Sequence, residues 1–589
     1  MEHAGYCKMT DSLRRLLRDV AERRVPKPGD FNTDPRAVRT WVAALPLANF
    51  AATARMLVDA LRTLNGLRIA PAERFEVLEI LRGPVVQLAA LVDKQILGAS
   101  FPLPPQRAEL GVVSQEFQNQ LALGYRMVLH DFCAPAGHVP MLRGKQVAAA
   151  ATRALVHAGA RLHKAYLLYR TPPVGAWQQL HDTYRFIASV NLETRMVDDA
   201  VAGSATCART AYVHALLLAL ANPYRHSQRE LMDAIALTGI FAGQCELETA
   251  PVQGRLAHVV DANSDHGPGY LPEERNEATT GVLYLDISAL LNHIEGQVSR
   301  LPPGIRLVSF RLRGGSPVQV DIDLAQRLVD GWTSDGTRSD ARLTGGYTLS
   351  SVIGLHDLHY VLAGNEDFEA FLRRIRGAMI QLSDQDSGAS WGRNAADSMR
   401  TQPLRMTVVD QSFGGYRVYW DRGNPGETVR VKVGELVGMA LSDSDGQAND
   451  WMVGVIRWMR IDDDGRVHAG ISLMARRSMA IGVNAVSADG MSQRDHRGIL
   501  LSPMRSEEAA IYSSMLTPGL FERDAHALRL TLPADIHRWP SSACSLSVAG
   551  AGLMESAGAY LRFALPPLDL PEELPLSVSR VDPDSIEQV

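Results

Sequence analysis

LRMTVVDQSFGGYRVYW, residues 404–420, reads as two strands joined at a tight turn. LRMTVVDQS and YRVYW carry the Val, Tyr and Trp that suit a pleated, half-buried surface. Between them, Asp410-Gln-Ser412-Phe-Gly-Gly415 has DxSxxG spacing, which in most chains is an Asx turn opening a hairpin. Similar short runs lie on both sides: YTLSSVIGL (347–355) upstream, then ETVRVKV (427–433), LVGMAL (436–441), WMVGVIRWMRI (451–461) and VHAGISLM (467–474) downstream. DDDG, residues 462–465, supplies a hairpin turn ending in Gly465 between the last two. Many short strands at close spacing predict a small β-barrel. One helical interruption falls inside it, HDLHYVLAG (356–364) followed by EDFEAFLRRIRGAMI (366–380).

Outside this region the periodicity changes. Apolar residues recur at spacings of three and four over residues 11–24, 35–65, 71–97, 106–130, 144–169, 174–188, 206–221 and 227–241. That pattern predicts an all-α array over residues 1–255. Residues 256–330 read as a mixed connecting segment containing one amphipathic helix, LDISALLNHIEGQVSRL (285–301). After the barrel, GILLSP, ALRLTLP and YLRFALPP predict a small β appendage over 479–568, followed by a flexible Pro-, Asp- and Glu-rich tail at 569–589.

With 589 residues the chain exceeds one hydrophobic core, and 46% hydrophobic with 21% charged residues is the composition of folded protein. A net charge of -5 gives no global drive toward DNA, RNA or an anionic membrane. Any anionic ligand must be held by a few placed arginines. Cys7, Cys133, Cys207, Cys245 and Cys544 are scattered and never form CxxC, which argues against zinc and against a disulfide framework. The first residues lack the order of a signal peptide, and no apolar run approaches the ~20 residues of a bilayer crossing. A cytoplasmic location is expected.

The residues that carry function are two motifs in series. RSDAR, residues 338–342, places Arg338 and Arg342 four apart immediately before the YTLSSVIGL strand. DxSxxG follows about 65 residues later. Either alone is ordinary: solvated arginines in a loop, or a turn. Guanidinium groups are planar and permanently charged, so a pair can fork onto phosphate or guanine O6/N7 from two directions. One good Arg–guanine contact supplies about 1–3 kcal/mol of discrimination, whereas micromolar binding needs about 8 kcal/mol. A second contact surface is therefore required.

In this order, ahead of barrel-like strands, the two motifs resemble the PilZ family over residues 331–478. The resemblance implies a six-stranded barrel, here with a helical insertion at about 356–399 that lengthens the interval between motifs. The whole chain is then an α+β multidomain protein: a helical array, a PilZ-like six-stranded barrel and the small β appendage. The resemblance also implies a cyclic di-GMP receptor, with Arg338, Arg342, Asp410, Ser412 and Gly415 as ligand-binding residues. Asp410 would accept from guanine N1–H and N2–H₂, Ser412 would bond neighbouring polar groups, and Gly415 would let the backbone approach the ligand. No catalytic residue, metal or cofactor is expected, and an unidentified protein partner would engage the helical domain. The alternative is a scaffold whose degenerate barrel keeps the fold without the ligand.

Other candidates have plainer readings. The pair Arg400 and Arg405 lies nearer Asp410 but at RxxxxR spacing, and ranks second. His356 and His359 form an HxxH without a matching acidic partner, more in keeping with a helix start. The loop from His258 to His266, with Asp261 and Asp265, is expected to be polar and metal-free. Tyr416, Trp420, Trp451 and Trp458 are expected to fill the barrel core.

Overall fold

Pro46 splits the first long amphipathic run. The computed structural model describes residues 11–18, 20–250, 257–270, 281–302, 305–311, 317–334, 341–376, 403–421, 429–441, 450–486, 494–504, 511–522, 527–533 and 545–569. In it the predicted helix over 35–65 is two helices, α1 (Pro35–Ala43) and α2 (Phe50–Gly66). Proline lacks the N–H that would continue the ladder, and Asn49 restarts it by accepting from the Ala52 amide. Of the described residues between 11 and 24, only 11–15 are helical.

The other predicted helices stand within a few residues of their apolar patterns. They are α3 (Pro71–Ile96), α4 (Pro105–Cys133), α5 (Gly144–Leu167), α6 (Ala176–Ser189), α7 (Ala208–Leu220) and α8 (Gln228–Phe241). Proline opens α3 and α4 where a missing N–H costs nothing, and a reciprocal Ser227–Glu230 capping box opens α8. A short hairpin, β1 (Val197–Asp199) and β2 (Ser204–Thr206), lies between α6 and α7.

Beyond α8, β3 (Glu246–Glu248), β4 (Ala257–Asp261), β5 (Gly269–Tyr270) and β6 (Val282–Asp286) make a sheet in the order β3-β6-β4-β5. Then come α9 (Ser288–Val298), the hairpin β7 (Leu307–Arg311) and β8 (Pro317–Asp321), and α10 (Ile322–Thr333). β4, β6, α9, β7, β8 and α10 all contribute to the helices' own core, whose members range from Leu13 to Trp332, while Ala257, Val282 and Tyr284 form a small cluster of their own. Trp332 is fully buried and its Nε1 donates to the Leu217 carbonyl at 3.0 Å.

One polar cluster interrupts that core. The Arg82 and Arg153 side chains, only 3% and 4% exposed, both grip Asp199, which is 2% exposed. Arg82 forks onto both carboxylate oxygens, and Arg153 adds a bond of 2.9 Å. The Val201 and Ala202 amides donate to the same group. Arg82 Nε donates to His157 Nε2 at 3.0 Å, and the other ring nitrogen meets Gln118. Burial, reinforced by the two guanidinium groups, pushes the His157 pKa down to about 3, so the ring stays neutral. The cluster ties the β1–β2 hairpin to α3 and α5.

The chain divides into two compact units, Met1–Ser339 with Arg460–Asp462 and Asp340–Met459 with Asp463–Val589. The second contains β9 (Leu343–Thr344), β10 (Thr348–Ile353), α11 (Gly354–Leu362), α12 (Phe368–Arg376), β11 (Leu404–Ser412), β12 (Gly415–Trp420), β13 (Leu436–Ala440), β14 (Met452–Ile461) except its last two residues, and β15 (Val467–Ala475). Strands run β10-β13-β14-β15-β12-β11, and antiparallel pairing of β10 with β11 closes a six-stranded barrel. Gly465, at φ +82°, allows the turn between β14 and β15 that DDDG predicted. ETVRVKV is not a strand among its described residues: Val431 makes a lone bridge before a turn at 433–434. Of the predicted helical insertion, α11 and α12 are described, and residues 377–402 lie outside the described residues.

The β appendage is a seven-stranded antiparallel sheet fused to the barrel. It holds β16 (Ser478–Val486), β17 (His496–Leu501), β18 (Ile511–Pro518), β19 (Ala527–Thr531), β20 (Ser545–Ala549), β21 (Gly552–Ser556) and β22 (Tyr560–Asp569), in the order β20-β19-β16-β17-β18-β22-β21. Val352, Leu436, Val453 and Val455 from the barrel join Ile499, Leu501, Leu516 and Tyr560 from this sheet in one core around Leu358 of α11.

Candidate functional site

A β-bulge decides which way the DxSxxG side chains face. Met406 and Val408 of β11 are buried, and Val408 stands opposite the buried Val418 of β12. Simple alternation would send Asp410 inward as well. The register shifts between Val408 and Asp410, so Asp410 pairs with Arg417, Gln411 with Tyr416 and Ser412 with Gly415. Opposed residues of an antiparallel pair share a face. Tyr416 and Val418 point into the barrel, so Arg417, Asp410 and Ser412 lie on its outer wall. The extra residue re-aims the motif.

The residues just after RSDAR are held on the same wall. β9 pairs with β11 through Thr344–Asp410 and Leu343–Gln411. The amides of Gly345 and Gly346 donate to the Val409 and Val408 carbonyls at 2.9 and 2.7 Å, satisfying the backbone that the bulge disturbs. A Cβ on Gly345 would stand 2.3 Å from the Val408 oxygen, and Gly346 has φ +109°. This double glycine lets the chain cross the bulge closely enough to deliver Arg342. Arg342 Nη1 donates to Asp410 Oδ1 in a direct ion pair. Its partner motif is 68 residues away in the chain.

Arg417 is the site residue that the sequence reading missed. Its Nη1 lies 3.8 Å from Asp410 Oδ2, and its Nε is buried with no partner among the described residues. The carboxylate therefore sits between two guanidinium groups. Only the bulge, which reverses the alternation, puts Arg417 beside Asp410, so spacing alone carried no signal for it.

Residues 257–403 and 374–479 match a family model described as the middle PilZ domain of the cyclic-di-GMP receptor FimW. The chain belongs to the PilZ-domain family. Residues 36–252 match the model for the N-terminal domain of the same receptor. A cyclic-di-GMP receptor FimW from Pseudomonas aeruginosa is 25% identical over 564 residues, spanning 87% of this chain and 90% of its own length.

In the PilZ barrel, the other sequence candidates resolve one by one. Arg338 and Arg400 lie outside the described residues. Arg405 pairs with Ser350 along β11, away from the turn. Gly415 has a packing duty in addition to any at a ligand: a Cβ there would meet the Ile471 carbonyl oxygen of β15 at 2.1 Å. Trp420, Trp451 and Tyr416 are buried as expected, with Trp420 Nε1 donating to Ser351 Oγ at 3.0 Å. Trp458 departs from the expectation. It is half-buried, and its indole covers Gly470, where an added Cβ would fall 1.9 Å from Nε1. Gly470 pairs with Arg417, so this ring lies on the outer wall beside the candidate site.

His359 of the HxxH pair is a core residue. It meets the Ile481 carbonyl at 3.2 Å and packs edge-on against Phe368 and Phe371. Burial depresses its pKa to about 4. In the first unit, Asp265 accepts from the Gly175 and Gln178 amides at 2.6 and 3.0 Å, capping α6. Among the described residues, no three His, Cys, Asp or Glu side chains gather in a way that would hold a metal ion. No described helix is long and apolar enough to cross a membrane.

Proposed function

We propose that this chain is a cytosolic receptor for cyclic di-GMP, which binds on the outer wall of the PilZ barrel at Arg342, Asp410, Ser412 and Arg417. The RxxxR motif assigns Arg338 to the same ligand, and Gly415 holds the turn. The observation that carries the reading is the meeting of Arg342 with Asp410 across two distant motifs. It gives one site a base-reading carboxylate and guanidinium groups for the dianionic ligand. Asp410 takes the guanine N1–H and N2–H₂ edge, while Arg342 turns its fork onto phosphate or onto guanine O6/N7. Opening a part-exposed ion pair costs about 0–1 kcal/mol, small beside the ~8 kcal/mol of micromolar binding. The similarity to a cyclic-di-GMP receptor supports this ligand.

The output is a protein contact, with no bond made or broken. The ligand shifts the protein between partner-binding and non-binding states only by its differential affinity for the two. The helical unit would present the altered surface to a protein partner. One observation favours the scaffold reading instead: Arg342 and Arg417 already neutralise Asp410, so the wall is electrostatically satisfied in part without a ligand. Isothermal calorimetry separates the two. Micromolar cyclic di-GMP binding that disappears in Arg342→Ala and in Asp410→Ala supports the receptor. No heat at millimolar ligand leaves the scaffold.

A further inference from the structure

The turn of the DxSxxG hairpin presents a large apolar ring that neither the fold nor the charged cluster uses. Phe413 lies between Ser412 and Gly415 and is 51% exposed. A lone exposed apolar side chain is unremarkable by itself. This one has a built backing. The guanidinium carbon of Arg476, from the turn that follows β15, sits 5.7 Å from the ring centroid. The turn itself is strapped to the barrel, because the Leu473 amide donates to the Gly414 carbonyl at 2.9 Å. Phe413 is thus a half-exposed ring on a tight hairpin, with a guanidinium over it.

Its position relative to Asp410 gives the ring a use. Asp410 and Ser412 stand about 7 Å apart along β11, at ~3.4 Å per residue. Phe413 follows at once, next to the last polar group of the site. A ligand whose first base is read at its edge by Asp410 and Arg342 extends naturally over this turn if it carries a second base. Stacking suits the second base, since every purine has a π-face and a Phe ring needs no hydrogen-bond register. The Arg476 guanidinium adds a positive charge beside the same ring, favourable to the ring's face and to a nearby phosphate.

We propose that Phe413, backed by Arg476, is a stacking platform for the second base of a purine dinucleotide bound at Asp410 and Arg342. This rests on the receptor reading above, and adds to it a residue that contributes affinity without reading base identity. Edge contacts at Asp410 discriminate guanine from adenine, whereas stacking at Phe413 is tolerant of either.

The test is calorimetry of the full chain with cyclic di-GMP and cyclic di-AMP, using Phe413→Ala, Phe413→Leu and Phe413→Trp beside Arg342→Ala and Asp410→Ala. Removing the ring lowers cyclic di-GMP affinity by about 10- to 100-fold, in the range found for base–aromatic stacking. Phe413→Leu falls with Phe413→Ala, and Phe413→Trp stays near the native affinity. The preference for guanine over adenine changes in Asp410→Ala and holds in the Phe413 variants. Because the residue is exposed, unfolding midpoints of the Phe413 variants match the native chain. If Phe413→Ala or Phe413→Leu binds like the native protein while Arg342→Ala does not, the platform is refuted and the receptor reading stands. If the native chain gives no heat, both fall together.

Discussion

Replacing Asp199 by Asn is the sharpest perturbation available in the helical unit. The substitution keeps the side chain's volume but removes its charge from between two guanidinium groups that are almost wholly out of water. Three arginine bonds and two backbone amides converge on that carboxylate. An Asn amide offers one acceptor oxygen in place of two and turns an N–H₂ toward donors. Arg153 retains a contact of 3.3 Å with Glu79, which is one-third exposed and compensates only part of the loss. Arg82 keeps its hydrogen bond to the neutral His157 and a longer-range attraction from Glu79. Breaking a buried ion pair from one side costs about 3–5 kcal/mol, because the surviving charge is stranded in a poor solvent. That is a large share of a typical domain stability of ~5–15 kcal/mol. Urea unfolding gives the total loss, and peptide-level hydrogen exchange locates it in α3, α5 and β1. Exchange in the barrel strands stays unchanged. A loss below about 1 kcal/mol would refute the argument that this cluster anchors the hairpin.

Three further outcomes follow from the structure. His157, His258 and His359 are buried, with pKa values lowered to about 3, 4 and 4 mainly by desolvation. A depressed histidine is neutral when folded and takes up a proton only on unfolding, so stability is full above the unfolded pKa of ~6.5 and falls as pH drops toward the folded value. Each removes about 1.3 kcal/mol between pH 7.5 and 5.5, and His163, His181, His214 and His226, lowered in the same direction by burial, add to it, so unfolding at the two pH values should show a loss of at least ~4 kcal/mol; an unchanged midpoint would count against neutral burial. Gly345→Ala drives a Cβ into the Val408 carbonyl, and should weaken cyclic di-GMP binding at least as much as Arg342→Ala while keeping every charge; native affinity would show that the crossing is not needed. Arg342→Ala itself touches a pair whose arginine is 38% exposed, so urea unfolding should change by less than about 1 kcal/mol, which separates loss of ligand from loss of fold.

Local chemistry is what the linear chain determined here. Helix positions followed from apolar spacing and from proline and capping residues, because those signals act within one turn of the residue that carries them. The same is true of the DDDG turn and of the strands that flank DxSxxG. The motif pair at Arg342 and Asp410 was legible because its residue types and order are local text. What the sequence left open depended on contacts between distant segments. Arg82, Arg153 and Asp199 are unremarkable charged residues until α3, α5 and β1 pack them together. The direction of Asp410 and Arg417 was set by one bulged residue, and Trp458 joined the outer wall because Gly470 left room for its ring. Register and bulge are settled by backbone pairing across strands, and a one-residue shift reverses every side chain beyond it. No single segment contains that information, so only the closed barrel could decide which residues share the site.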